Sequence, residues 1–192
     1  IHSGSNVVYA MQYKEAFNTL YHSEKPVDTI ALPMMFLMRH YLELILKYNI
    51  KYFNKFSDTN FLIGSLNSVH SLEKLADGFK QHWNSVVEKH GIDVDDAQYI
   101  SDFQNLINFL HSLDKFSMSF RYSHDKNDDK NFEHSETLNI KEVKDSLEKV
   151  IPLLDYSIDV FYEQKGQYIE MEEQMMKDLE NEMMAEVYGP YY

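Results

Sequence analysis

Cysteine is absent from the 192 residues of this chain. That removes disulfides, thiol nucleophiles and thiolate zinc sites together, and it fits a reducing, cytoplasmic compartment. Glycine and proline are also scarce, at 6 and 4 residues. A sandwich or barrel of many short strands would need more turn chemistry than that supplies. Positive charge is in short supply too: 18 Lys and Arg face 31 Asp and Glu, for a formal net charge of −13. Wrapping duplex DNA over a broad surface is therefore not expected, because neutralising phosphates requires clustered cations. A single strand or a nucleotide at a small local site remains compatible, as does a basic protein partner. Long hydrophobic runs are missing as well. The longest, Ile30 to Met38, is broken by Arg39 and His40, so no membrane span is expected. The sequence opens at Ile1 rather than Met, which leaves the native N-terminus open.

What is abundant is apolar and aromatic side chain, 44% and 14% of the residues, enough to bury a sizeable core. Its spacing is helical. Val8, Met11, Phe17 and Leu20 mark a first helix that ends before the turn at Ser23 to Pro26. A second is expected to be capped by Asp28 or Thr29, to carry Pro33 in its first turn and to run toward Phe56. Ser57 to Gly64 reads as a loop. A third helix is expected from Ser68–His70 to a stop at Gly91, and a fourth from about Asp95, with Phe103, Leu106 and Leu110 on one face. Ser123 to Thr137 is polar and reads as a loop. A fifth helix bears Val143, Leu147, Val150 and Leu154, and Pro152 should kink it. Beyond Gly166, Met175, Met176, Leu179, Met183 and Met184 punctuate an acidic stretch, which reads as an amphipathic tail helix, packed on a partner chain or solvated. The expected architecture is all-α: an up-down bundle of about five helices over residues 1–162, with an acidic, Met-rich extension over residues 163–192.

Only two arginines occur, Arg39 and Arg121. Both lie in or beside apolar helical stretches, where a guanidinium is expected to be paired with a carboxylate or a phosphate. Arg39, Glu43 and Lys47 follow one another at four-residue steps and so share one helix face. This stripe is either a structural ion pair on the bundle surface or one wall of a cleft that meets Arg121. His70 either caps or packs against the start of the third helix or contacts a phosphate. His111 with Asp114 could orient an imidazole, although two polar residues on an exposed face are the ordinary reading. His40 points away from Glu43, toward a surface or an interface. Asp125, Asn127, Asp129 and Glu136 fall on ligand positions of a calcium-binding loop, but Lys130 stands where that loop needs glycine. A solvated acidic loop is the reading taken, with no metal site.

Taken in order, the stretch Arg39-His-Tyr-Leu-Glu43-Leu-Ile-Leu-Lys47, the helix start His70-Ser-Leu-Glu-Lys-Leu75 and the segment Phe120-Arg-Tyr-Ser-His-Asp125 resemble the landmarks of the HEPN superfamily. The resemblance spans roughly Tyr9 to Tyr162. It implies a dimeric helical bundle of prokaryotic defence or toxin–antitoxin type, with functional groups in a cleft near the two-fold axis. In the catalytic branch, an Arg and a later His form a metal-independent ribonuclease site. The His acts as general acid or base, the Arg stabilises the pentacoordinate phosphate, and the RNA 2′-hydroxyl supplies the nucleophile, so no cofactor is expected. Here Arg121 and His124 stand for that pair, with Arg39, Glu43, Lys47, His70 and Tyr122 as substrate-binding groups. Only Tyr122 and Ser123 separate Arg121 from His124, an interval shorter than the catalytic pattern. An Arg-Tyr pair is also the form associated with binding or partner roles. The resemblance thus implies two readings: an RNA- or nucleotide-directed protein, including a metal-independent endoribonuclease, or a non-catalytic dimerising adaptor that serves an antitoxin or nucleotidyltransferase partner.

Overall fold

The computed structural model describes residues 6–113, 120 and 138–188, with side chains given through residue 185. Among these the fold is an all-α helical bundle: five α-helices, one 3-10 helix and no strand. The helices are α1 (Asn6–Tyr21), α2 (Val27–Phe53), α3 (Leu72–His90), α4 (Ala97–Leu113) and α5 (Ile140–Tyr188), and the 3-10 helix spans Ile63–Ser68. The chain divides into two units, residues 1–157 and 158–192.

In the first unit α2 is the central element, with α1 and α3 packed against it and α4 packed on α3. Its apolar residues recur at steps of one, three and four residues: Met34, Met35, Met38, Leu42, Ile45 and Leu46 are all buried. A stripe that wide needs neighbours on more than one side. By length and composition α2 could cross a membrane, but half of its most apolar window is buried inside the protein. Its charged residues Arg39, Glu43 and Lys47 lie on the buried side as well.

The helix ends depart from expectation in instructive ways. The residue before α2 is Pro26, with ψ near 131°, and no side chain caps the helix. Asp28 lies inside the first turn, where its charge faces the positive end of the helix dipole. Thr29 turns its hydroxyl back onto the Pro26 carbonyl at 2.7 Å. Pro33 therefore falls in the second turn, at an exposed position, where its missing N–H leaves the Thr29 carbonyl without a helical donor. The helix ends at Phe53 rather than Phe56, and further turns carry the chain to Ser57. The expected loop from Ser57 gives way at Ile63 to the 3-10 helix.

Helix α3 begins two residues after His70. Ser71 is its N-cap, accepting from the Lys74 N–H at 3.4 Å, so His70 does not cap the helix. At the other end Gly91 adopts φ 58° and ψ 51°, and the Ile92 N–H reaches back to the Val87 carbonyl at 3.0 Å. This is the left-handed stop that glycine accepts without strain. Within α3, Gly78 faces the incoming loop: a Cβ there would lie 2.8 Å from Leu62 Cδ1 and 3.1 Å from Ile50 Cδ1. Leu62 itself holds a φ of 66°, costly for any residue with a Cβ. Its seat over Gly78 is the contact that offsets that cost.

Helix α5 runs uninterrupted through Pro152 and Gly166. The fifth helix and the tail helix expected from the sequence are one helix. Gly166 lies inside it, and the Tyr162 ring covers the space a Cβ there would fill, 2.8 Å away. The Tyr162 hydroxyl then reaches Glu170 Oε1 at 2.6 Å.

A buried carboxylate that gathers three partners

Glu43 is the hub of the candidate site. It sits on the buried side of α2 and is only 5% exposed. Arg39 Nη1 donates to Glu43 Oε2 at 3.0 Å from one turn before, and Lys47 Nζ donates to Glu43 Oε1 at 3.0 Å from one turn after. Both cations are themselves buried. The stripe is therefore an interior network, not the ion pair on the bundle surface that spacing alone allows. Its third partner comes from 27 residues away: His70 Nδ1 stands 2.8 Å from Glu43 Oε1.

The backbone closes the arrangement. Arg39 Nη2 donates to the His70 carbonyl at 2.5 Å, and Lys47 Nζ reaches the Asn67 carbonyl at 3.4 Å. The 3-10 helix, at Asn67, and the segment that follows it, at His70, are thereby each tied to α2. Burial alone would raise the Glu43 pKa. Hydrogen bonds from Lys47, His70 and Arg39 outweigh that and hold it below the usual glutamate range. Glu43 is thus a fixed anion. In a neutral imidazole, the nitrogen facing a carboxylate carries the proton. Glu43 accordingly places the His70 proton on Nδ1 and makes Nε2 the basic nitrogen of a ring whose side chain is 63% exposed. Carboxylate, oriented imidazole and two fixed cations are the groups a phosphate-handling site uses.

Four of the groups expected from the sequence, Arg39, Glu43, Lys47 and His70, therefore meet in one place. Arg121, Tyr122 and His124 lie outside the described residues, as do Asp114, Lys115 and the calcium-loop positions Asp125 to Glu136. Among the described residues no cluster of three or more His, Asp and Glu is placed to hold a metal ion. His111 turns to Glu73 of α3, with Nε2 3.7 Å from its carboxylate, across an exposed edge. His40 does not face solvent alone: it packs edge-on against Tyr13 of α1 at 4.4 Å and stacks on Phe36 at 5.6 Å.

Two polar clusters have no counterpart in the sequence reading. Tyr41 is buried and donates to Asp155 Oδ1 at 2.6 Å, and Lys14 pairs with the same carboxylate. Burial and the Asp155 charge push the Tyr41 phenol well above its ordinary value, so it stays a donor. His82 lies between Ser57 Oγ, 2.7 Å from Nδ1, and the Phe61 carbonyl, 3.0 Å from Nε2. A carbonyl can only accept, so Nε2 carries the proton and Nδ1 accepts from the Ser57 hydroxyl. The pair has the composition of a nucleophile and its base, but His82 is fully buried and its role is to pin the loop after α2. Burial lowers the His82 pKa below its usual value. The unfolded chain then binds the extra proton more readily, so this tether is at full strength above the ordinary histidine pKa and weakens as pH falls below it. Protection of the amides of residues 57–62, relative to their intrinsic exchange rates, is expected to fall as pH drops below about 6.5, and His82→Gln to abolish that pH dependence. An identical loss of protection in the variant would show that His82 is not the cause.

A cavity of about 590 Å³ lies between α4 and the first turns of α5, lined by residues that include Asn105, Phe109, Glu142 and Lys149. Among the described residues, none of those expected at the site borders it. The chemistry concentrates at Glu43 instead. Compared with known proteins, the chain matches no family model, no curated protein and no solved structure.

Proposed function

We propose that this chain is a HEPN-like protein of prokaryotic defence or toxin–antitoxin type. In this reading it is cytoplasmic, acts as a homodimer and binds RNA or a nucleotide in a cleft near Arg121. One observation carries the reading: the stripe on α2 and the His that precedes α3, landmarks far apart in sequence, converge on a single carboxylate. A phosphate would be met by the His70 imidazole, the exposed group of this cluster, held in place by Glu43. Arg121 and His124 would supply charge stabilisation and proton transfer if the bound RNA is cleaved, with the 2′-hydroxyl as nucleophile and no metal required.

A second reading is a non-catalytic adaptor for an antitoxin, a nucleotidyltransferase or another defence enzyme. The exposed apolar face of the tail favours it. Incubating single-stranded RNA with the protein in chelator, with anisotropy to follow binding, separates the two. RNA binding that Arg121→Ala weakens at least about tenfold is the expected result. Cleavage lost at least about a hundredfold in both Arg121→Ala and His124→Ala would add the nuclease step. Binding without cleavage leaves a binding protein. A wild type that neither binds nor cuts RNA or nucleotides removes the first reading and leaves the adaptor.

A further inference from the structure

The second unit presents an apolar face that nothing in its own helix covers. Met171, Met175, Leu179 and Met183 recur at every fourth residue, with Met176 beside them, and Met171 is 71% exposed and Met183 65%. Met171, Met175 and Leu179 line a shallow groove of about 460 Å³ whose polar edge is Gln174, Asp178 and Glu182. Gln174 Nε2 donates to Asp178 Oδ1 at 2.9 Å, which fixes that edge. Five unbranched or flexible apolar side chains in one stripe make an adaptable surface of the kind that takes up partner helices. A contiguous exposed apolar face rimmed by charge marks an interaction surface.

The charge selects the occupant. Residues 158–192 hold nine Asp and Glu against two Lys. A second copy of the same helix would bring carboxylates against carboxylates along its whole length, and an anionic lipid surface would be repelled likewise. A helix with an apolar ridge flanked by Lys and Arg meets both requirements at once: it fills the methionine groove and places cations over Asp178 and Glu182. We infer that the Met-rich face of residues 171–183 is a docking site for a basic amphipathic helix of another protein. This does not depend on what the Glu43 site binds.

The test uses the full chain and calorimetric titration with a synthetic amphipathic leucine–lysine helix. A leucine–glutamate helix with the same apolar face, and vesicles of phosphatidylcholine with phosphatidylglycerol, serve as comparisons. The leucine–lysine peptide is expected to bind in a one-to-one complex, at least about tenfold more tightly than its acidic counterpart, and to weaken as salt rises. Two variants divide the contributions. Met171→Ser with Met175→Ser and Leu179→Ser keeps the charge and removes the groove, and Asp178→Asn with Glu182→Gln does the reverse. Each is expected to lose about tenfold or more in affinity with tail helicity retained by circular dichroism. Equal binding by the serine variant would reduce the effect to bare charge attraction and overturn the proposal. So would absence of peptide binding, tighter binding of the acidic peptide or vesicles, or self-association that disappears in the serine variant on sedimentation.

Discussion

Glu43→Gln is expected to destabilise the folded chain by about 3–5 kcal/mol, the cost of removing one partner from a buried ion pair. The substitution preserves shape and one acceptor oxygen, so packing is not what it tests. It removes the carboxylate that Arg39 and Lys47 share, while both remain buried on α2. It also places an amide N–H₂ against donors that need an acceptor. Replacing the trio together, as Arg39→Met with Glu43→Leu and Lys47→Met, is expected to cost far less, because no charge is then left uncompensated. Urea denaturation followed by circular dichroism measures both. A Glu43→Gln protein within about 1 kcal/mol of wild type would contradict a buried network. The pH dependence has a definite sign. The folded-state pKa of Glu43 is depressed, so its contribution is complete above the ordinary glutamate pKa and fades as pH falls through the lowered value. The gap between wild type and Glu43→Gln should close on acidification.

Trp83→Ala is the second large effect, also about 3–5 kcal/mol. Trp83 is the only tryptophan and is 1% exposed. Its ring centroid lies 5.2 Å from that of Phe53 at the end of α2, and its indole N–H donates to Asp96 Oδ2 at 2.5 Å just before α4. One side chain thus joins α3 to the exit of α2 and the entry of α4. Truncation leaves a cavity among aromatic rings that are too rigid to close it, since Phe79 is already engaged edge-on with Phe103 at 5.9 Å. Trp83→Phe should retain most of the packing and lose the bond to Asp96, for a penalty of about 1–2 kcal/mol. Equal losses for Ala and Phe would mean that the hydrogen bond, not the ring, carries the effect.

The helices were legible because burial imposes a 3.6-residue period, and α3 and α4 show it most plainly, whereas α1 buries only Ala10 and Phe17. Their ends were less so. Asp28 and Thr29 have the chemistry of caps, yet the chain enters α2 at Pro26, whose fixed φ already suits the turn. The change of composition beyond Gly166 suggested a separate tail helix, yet α5 continues through that glycine, whose missing Cβ leaves room for the Tyr162 ring. The functional groups divide in the same way. The four-residue steps of Arg39, Glu43 and Lys47 revealed a shared face, but not that the face points inward. Burial and the His70 contact depend on a loop returning across α2, which spacing does not encode. Tyr41 with Asp155 was invisible for the same reason: 114 residues separate them.

The order of these contacts along the chain has a kinetic meaning. The principal helix pairings, α1 with α2, α2 with α3 and α3 with α4, all join sequence neighbours. Short loops close with little entropic cost, so these pairings can form early and fast. The ties to the first part of α5 are of another kind: Asn49 to the Leu154 carbonyl at 2.7 Å, and Tyr41 and Lys14 to Asp155, span 105 to 141 residues. Docking of that helix is therefore expected to follow the rate-limiting step. Asn49→Ala should speed unfolding in stopped-flow experiments and leave refolding nearly unchanged, whereas slower refolding would place that contact in the folding nucleus. Closure by α5 would then act as a latch set after the rest has formed, and the lifetime of the native state would depend on how long that latch holds.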